Sequence, residues 1–197
     1  MQLPQKQIYL IIPLFLLVAN TFAAVSVTKN PSTQLKSWVL KEGGFKLELI
    51  QRLPDQTRAF FQGRGFSSKI ANDLALSCIF QAIGTNIGTP KQKHAESVSY
   101  SLKDWKIKMG DKIQTVKSKE IWKTQWSPSA VNTAAKIAFT WATFPTQQTF
   151  SSSSDYGWGM ISFGFPPKTT FDLKVVWKQN NKTNSRWVRA IMCPPDR

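Results

Sequence analysis

One histidine, two cysteines and eleven acidic residues are all that these 197 residues offer to most enzymatic chemistry. A blue-copper centre needs two histidines, a cysteine and a weak axial ligand, so a single histidine excludes it, and it excludes a histidine-based zinc site for the same reason. A Ser-His-Asp triad would have to use His94, which stands in the charged loop sequence KQKHAES, and no GxSxG elbow accompanies it. The cysteines lack CxxC spacing, which removes a dithiol redox centre. Among the acids, Asp73, Asp104, Asp111, Glu120, Asp155 and Asp172 stand in no paired motif. No sequence element implies a cofactor, and none belongs to a nucleic-acid-binding motif. After residue 23, no apolar run approaches the roughly 20 residues that a membrane-crossing helix needs.

The first residues, MQLPQKQIYLIIPLFLLVANTFAA, read as a cleavable export signal. Lys6 marks the basic end, Ile8 to Ala19 form an apolar stretch too short to span a bilayer, and Thr21 and Ala23 are small residues suited to cleavage before Ala24. The expectation is a periplasmic protein with a signal at 1–23 and one β-rich domain at 24–197. The formal charge of the whole chain is +15. Such a charge favours polyanions or anionic surfaces through long-range attraction. In an oxidising compartment Cys78 and Cys193 are a candidate disulfide tying a central strand to the last one. Asn181-Lys182-Thr183 matches a glycosylation sequon, relevant only to a eukaryotic source.

Short alternating segments dominate the rest. Phe45, Leu47 and Leu49 alternate with Lys46 and Glu48, as do Phe171, Leu173, Val175 and Trp177 with polar neighbours, and each pattern predicts a half-buried strand. CIFQAI (78–83), the split segment 97–109, KIAFTWATF (136–144) and RWVRAIMC read as further strands. The pattern between 97 and 109 changes phase near Lys103 and Asp104, and Gly110-Asp111 reads as a hairpin turn. Residues 24–37 read as a loose lead-in. Pro54 and Ser67 open two short helices. The predicted fold is mainly β: an antiparallel β-sandwich, immunoglobulin-like in general architecture, with a helical insertion near 54–77. The alternative is an α+β fold with helices on one sheet face.

Two stretches are candidate recognition sites. In SSSSDYGWGMISFGFPP, the aromatics Tyr156, Trp158 and Phe165 beside Asp155 either cover the end of the core or form a platform for a sugar, a ring or a partner loop. In RAFFQGRGFSSK, Arg58 and Arg64 bracket two phenylalanines ahead of a helix start that would favour an anion. The preferred function is a non-catalytic binding or accessory protein that recognises an envelope protein or an acidic polymer through loops. Two alternatives are a carbohydrate-active hydrolase with a carboxylate pair and a copper carrier using Met109, Met160, Met192 and His94.

Overall fold

A computed structural model of the chain describes residues 24–88, 97–127 and 129–196. The expected signal and His94 lie outside the described residues. The chain runs through β1 (Val25–Lys29), β2 (Lys36–Glu42), β3 (Phe45–Gln51), α1 (Pro54–Gln62), α2 (Ser68–Ala75) and β4 (Ile79–Asn86). It continues through β5 (Val98–Ser101), β6 (Lys106–Met109), β7 (Lys112–Thr115), α3 (Lys119–Gln125) and α4 (Thr133–Ala142). β8 (Gln147–Phe150), β9 (Tyr156–Ser162), β10 (Thr170–Gln179) and β11 (Lys182–Met192) complete it.

The strands form two antiparallel sheets, as the alternation predicts. The first has the order β1-β2-β3-β4-β9, and the second the order β7-β6-β10-β5-β8, with β11 on the other side of β10. Their inner faces interdigitate. Trp38, Leu40, Leu47, Leu49 and Phe80 from the first sheet meet Trp105, Ile107, Leu173, Val175 and Trp177 from the second, all fully buried. The alternating residues of β3 and β10 are therefore the two halves of one core.

The phase change near Lys103 is a break. A 3-10 turn at Leu102–Asp104 separates β5 from β6, and the two strands pair with opposite halves of β10. Trp105 fills the gap, donating from Nε1 to the Val176 carbonyl at 2.9 Å. Gly110-Asp111 makes the expected two-residue hairpin, with Gly110 at φ +59°, a conformation that glycine adopts freely.

The disulfide is present. Cys78 and Cys193 are bonded, their Cα atoms 5.0 Å apart. Cys78 precedes β4 and Cys193 follows β11, so the bond fastens one sheet to the other. A separation of 115 residues is close to the loop length for which constraint of the unfolded chain is worth about 4.7 kcal/mol.

Two segments depart from the sequence reading. Residues 24–37 are not a loose lead-in: β1 pairs with β2 over five residues, with Ala24 and Val25 packed against the main core. KIAFTWATF is not a strand. Thr133–Ala142 is a helix whose N-cap, Asn132, accepts a hydrogen bond from the Ala135 amide at 2.8 Å. The alanine-rich start favours a helix, and the cap satisfies an amide that a helix start would leave open. Ala135 and Phe139, four apart, face inward, while Ile137 and Trp141, also four apart, face out.

The helices clothe one side only. Phe61, Phe66, Leu74, Trp122 and Phe139 form a second buried cluster that closes over Ile79 and Met160 on the outer face of the first sheet. This is why Met160, Ile161, Ser162 and Phe163 are all buried in succession: the outer positions lie under helices and the inner ones in the sandwich. Among the described residues no helix is long and apolar enough to cross a membrane.

Candidate functional site

Where the helical layer ends, the outer face of the first sheet carries a groove of about 300 Å³. Gln81, Trp158 and Met160 form its floor on β4 and β9. Phe60 and Arg64, from α1 and the turn after it, form one wall, and Ala138, Trp141 and Ala142 of α4 form the other. Arg52, just past the end of β3, completes the lining, and no acidic residue belongs to it.

Both tryptophans are open to solvent, Trp141 at 82 % and Trp158 at 57 % of full exposure. The strand places Tyr156, 65 % exposed, two residues from Trp158 on the same face, so an aromatic strip leads along β9 into the groove. The other six tryptophans contrast with these: Trp38, Trp105, Trp122 and Trp177 are buried, Trp126 is packed against Phe66 and Phe139, and Trp187 is half-buried on the second sheet.

The two arginines are held differently. Arg64 stacks on Phe60, its guanidinium carbon 3.4 Å from the ring centroid, and donates from Nη1 to the Phe60 carbonyl at 3.0 Å. Arg52 is half-buried. Its Nε has no hydrogen-bond partner among the described residues, and its Nη1 reaches only Gln81 Oε1, at 3.5 Å. Burial pulls the Arg52 guanidinium below its ordinary pKa range, since removal from water disfavours the charged form. An anion in the groove would offset that cost and accept from both guanidinium groups. Exposed aromatic faces beside them add contact area with few rotatable bonds.

The structure sorts the predicted residues. It brings together Trp158 and Arg64, which come from two separate stretches of the sequence, and leaves Tyr156 beside them. Phe165 does not belong to the site: it is 7 % exposed, lies in the main core and packs on Phe171 at 5.4 Å between centroids. Asp155 is occupied by its own loop, Oδ2 accepting from the Ser151 and Ser152 amides at 3.0 and 2.8 Å. Arg58 is also occupied. It pairs with Asp55, donates to Asn72 Oδ1 at 3.0 Å and lies 3.7 Å from Asp196, clamping α1 to α2 and the C-terminal tail.

The expected anion site at the start of α2 is closed. The amides of Gly63, Arg64, Gly65 and Phe66 all donate to carbonyls of α1, and Ser67 Oγ accepts from Ile70. Met109 ends β6 in the second sheet, Met160 is buried under helices on the first, and Met192 packs at the end of β11. The proposed sulfur ligands thus lie on separate parts of the fold. Among the described residues no group of three or more His, Cys, Asp or Glu residues gathers where it could hold a metal.

Arg52, Gln81, Phe60 and Trp141 were missed. Trp141 was masked by the strand-like alternation of Ile137, Phe139 and Trp141, against which only Asn132 as a cap and the run of alanines signal a helix. Arg52 and Gln81 carry no such signal, because only strand pairing places them beside one another. Comparisons with known protein families, curated proteins and solved structures find nothing that matches this chain.

Proposed function

We propose that this is an exported, non-catalytic binding protein that recognises an acidic polymer, the groove between α1, α4 and β9 being its recognition site. The observation that carries the reading is the meeting of two solvent-exposed tryptophans and two arginines, with no acid in the lining. A unit that offers both a ring face and an anion fits this lining, which makes an acidic polysaccharide the favoured class. An envelope protein fits less well. A stable protein interface takes about 800 Å² from each partner, whereas this groove is small and concave. The inter-sheet disulfide suits an oxidising compartment and supports export. A carboxylate-pair hydrolase gains no support from a groove without acids. Several acids of the described strands and helices are otherwise engaged, Glu42 by Arg186, Asp73 by Lys69 and Glu120 by Thr146.

The test is a tryptophan-fluorescence titration of the full exported chain with a polyuronate, a sulfated polysaccharide and a neutral glucan. Binding of an acidic polymer, weakened by salt, is expected. Trp141→Ala and Arg64→Ala should each weaken it by about tenfold, equivalent to about 1.4 kcal/mol. A protein that responds to neither acidic polymer, or that binds one equally well after both substitutions, overturns the reading.

A further inference from the structure

The other side of the molecule carries a different kind of surface. The strands of the second sheet hold eight lysines and arginines against one acid, Asp172. The side chains that project from its outer face include Lys106 and Lys108 on β6 and Lys174 and Lys178 on β10, with Lys103 and the acid Asp104 on the adjoining 3-10 turn. Lys106 and Lys174 are direct cross-strand partners. Like charges placed opposite one another on a sheet face destabilise it, yet among the described residues no carboxylate is bonded to either. Asp172, the one acid on these strands, is bonded within its own strand pair, Oδ1 accepting from the Ala190 amide at 2.9 Å and Oδ2 from Arg189 at 2.6 Å, and it offsets Lys108, its partner across the strands, leaving Lys106 and Lys174 opposite one another. The buried helical cluster includes residues of the first sheet and none of the second, so among the described residues that apolar helical layer does not extend over this face.

We infer that this face docks on an anionic lipid bilayer. Its charges are spread in two dimensions, across neighbouring strands about 4.8 Å apart and along each strand. The lysines surround a wide, open depression of about 870 Å³ lined by Lys103, Asp104, Lys106 and Lys178, and a spread of this width meets several headgroups of one plane at once, where a single polymer chain would offer one row of charges. Lysine is a flexible point charge suited to diffuse phosphate, in contrast to the stacked and half-buried arginines of the groove. Trp187, half-buried beside Lys174 and with the Arg189 guanidinium 4.9 Å from its ring, supplies the amphipathic aromatic that favours a membrane interface. The two sheets turn their outer faces in opposite directions. A protein resting on its second sheet would therefore present the tryptophan groove away from the membrane. The inference stands on the lysine face alone and does not require the groove to bind anything.

Flotation of the full exported chain with vesicles of phosphatidylcholine, with and without phosphatidylglycerol, tests it. Binding should require phosphatidylglycerol and fall with salt, since each lysine near an anionic surface is worth about a fivefold change in partitioning. The triple substitution Lys108→Gln, Lys174→Gln, Lys178→Gln should lower partitioning about a hundredfold on the same scale. Lys29→Gln, Lys36→Gln, Lys41→Gln removes the same charge from the first sheet and should change partitioning by no more than about twofold. Equal losses in the two triple variants would mean that net charge alone is responsible, and would overturn the inference. So would equal binding to both kinds of vesicle. It also falls if the second-sheet variant keeps its vesicle binding but loses retention on an immobilised polyuronate, because the face would then belong to a polymer.

Discussion

The two sheets are built from the same alternating pattern and finish with opposite surfaces. Strands of the first sheet carry four basic and two acidic residues, and their outer face is partly roofed by helices, leaving an aromatic groove at the margin. Strands of the second carry eight basic residues and one acid, and among the described residues the helical apolar cluster does not reach their outer face. Along a strand every second residue shares a face, so Lys106 with Lys108, and Lys174 with Lys178, fall on one side however the strands are ordered. Pairing β6 with β10 then converts lysines scattered over some seventy positions into one patch. The sandwich thus separates aromatic recognition from diffuse charge.

The strongest way to break the comparison is to untie the sheets. The Cys78–Cys193 bond is fully buried and, apart from the main chain itself, is the one covalent link between them among the described residues. Reducing it, or replacing both cysteines with serine, should cost about 4–5 kcal/mol and lower Tm by roughly 10–15 °C. Thermal melts followed by circular dichroism, with and without reductant, measure this. A melting temperature that does not move would mean that packing alone holds the layers together.

A smaller and more local effect separates the groove from the lysine face. A Cβ on Gly159 would lie 2.4 Å from the Phe144 nitrogen and 2.5 Å from the Thr143 carbonyl carbon, both backbone atoms that cannot rotate away. Gly159→Ala must therefore push the segment after α4 off β9, straining the hydrogen bond from the Phe144 amide to the Met160 carbonyl. The expected loss is about 2–3 kcal/mol, with weakened polymer binding and unchanged vesicle binding. Gly157→Ala is the control. Its Cβ would meet Phe150 at 3.6 Å, an ordinary contact, and stability should hold within about 0.5 kcal/mol. If the two substitutions behave alike, the close approach at Gly159 is not what holds α4 against the sheet.

Much of the scaffold was legible because period-2 burial is a local signal. Phe45 to Leu49 and Phe171 to Trp177 announce the core, Ser67 announces α2, and an even pair of cysteines announces the disulfide. The helix α4 was hidden because Ile137, Phe139 and Trp141 alternate as a strand would, and only the Asn132 cap and the alanines argue otherwise. The groove was half legible. Trp158 and Arg64 stood out as exposed candidates by their glycine and serine surroundings, but nothing local distinguishes them from Phe165, which lies in the core. Their meeting with Arg52 and Trp141 depends on strand order and on where α4 packs, and neither is encoded at short range.

The smallest predicted effect has the most informative sign. Lys174 faces Lys106 across the β6–β10 pair, with Trp187 on its other side. Lys174→Glu replaces a like-charge pair by an opposite-charge pair, so folding stability should rise by about 0.2–1 kcal/mol and Tm by about 1–3 °C. The same change removes two units of charge from the proposed membrane face and should lower partitioning into anionic vesicles by about twenty-five-fold. Substitutions that weaken binding usually destabilise or leave stability unchanged. A gain in stability coupled to a loss of binding would show that the lysine pair is kept at the expense of the fold. If Tm drops instead, Lys106 and Lys174 do not repel one another across the strands. If binding persists, the charges on this face serve some purpose other than the lipid surface.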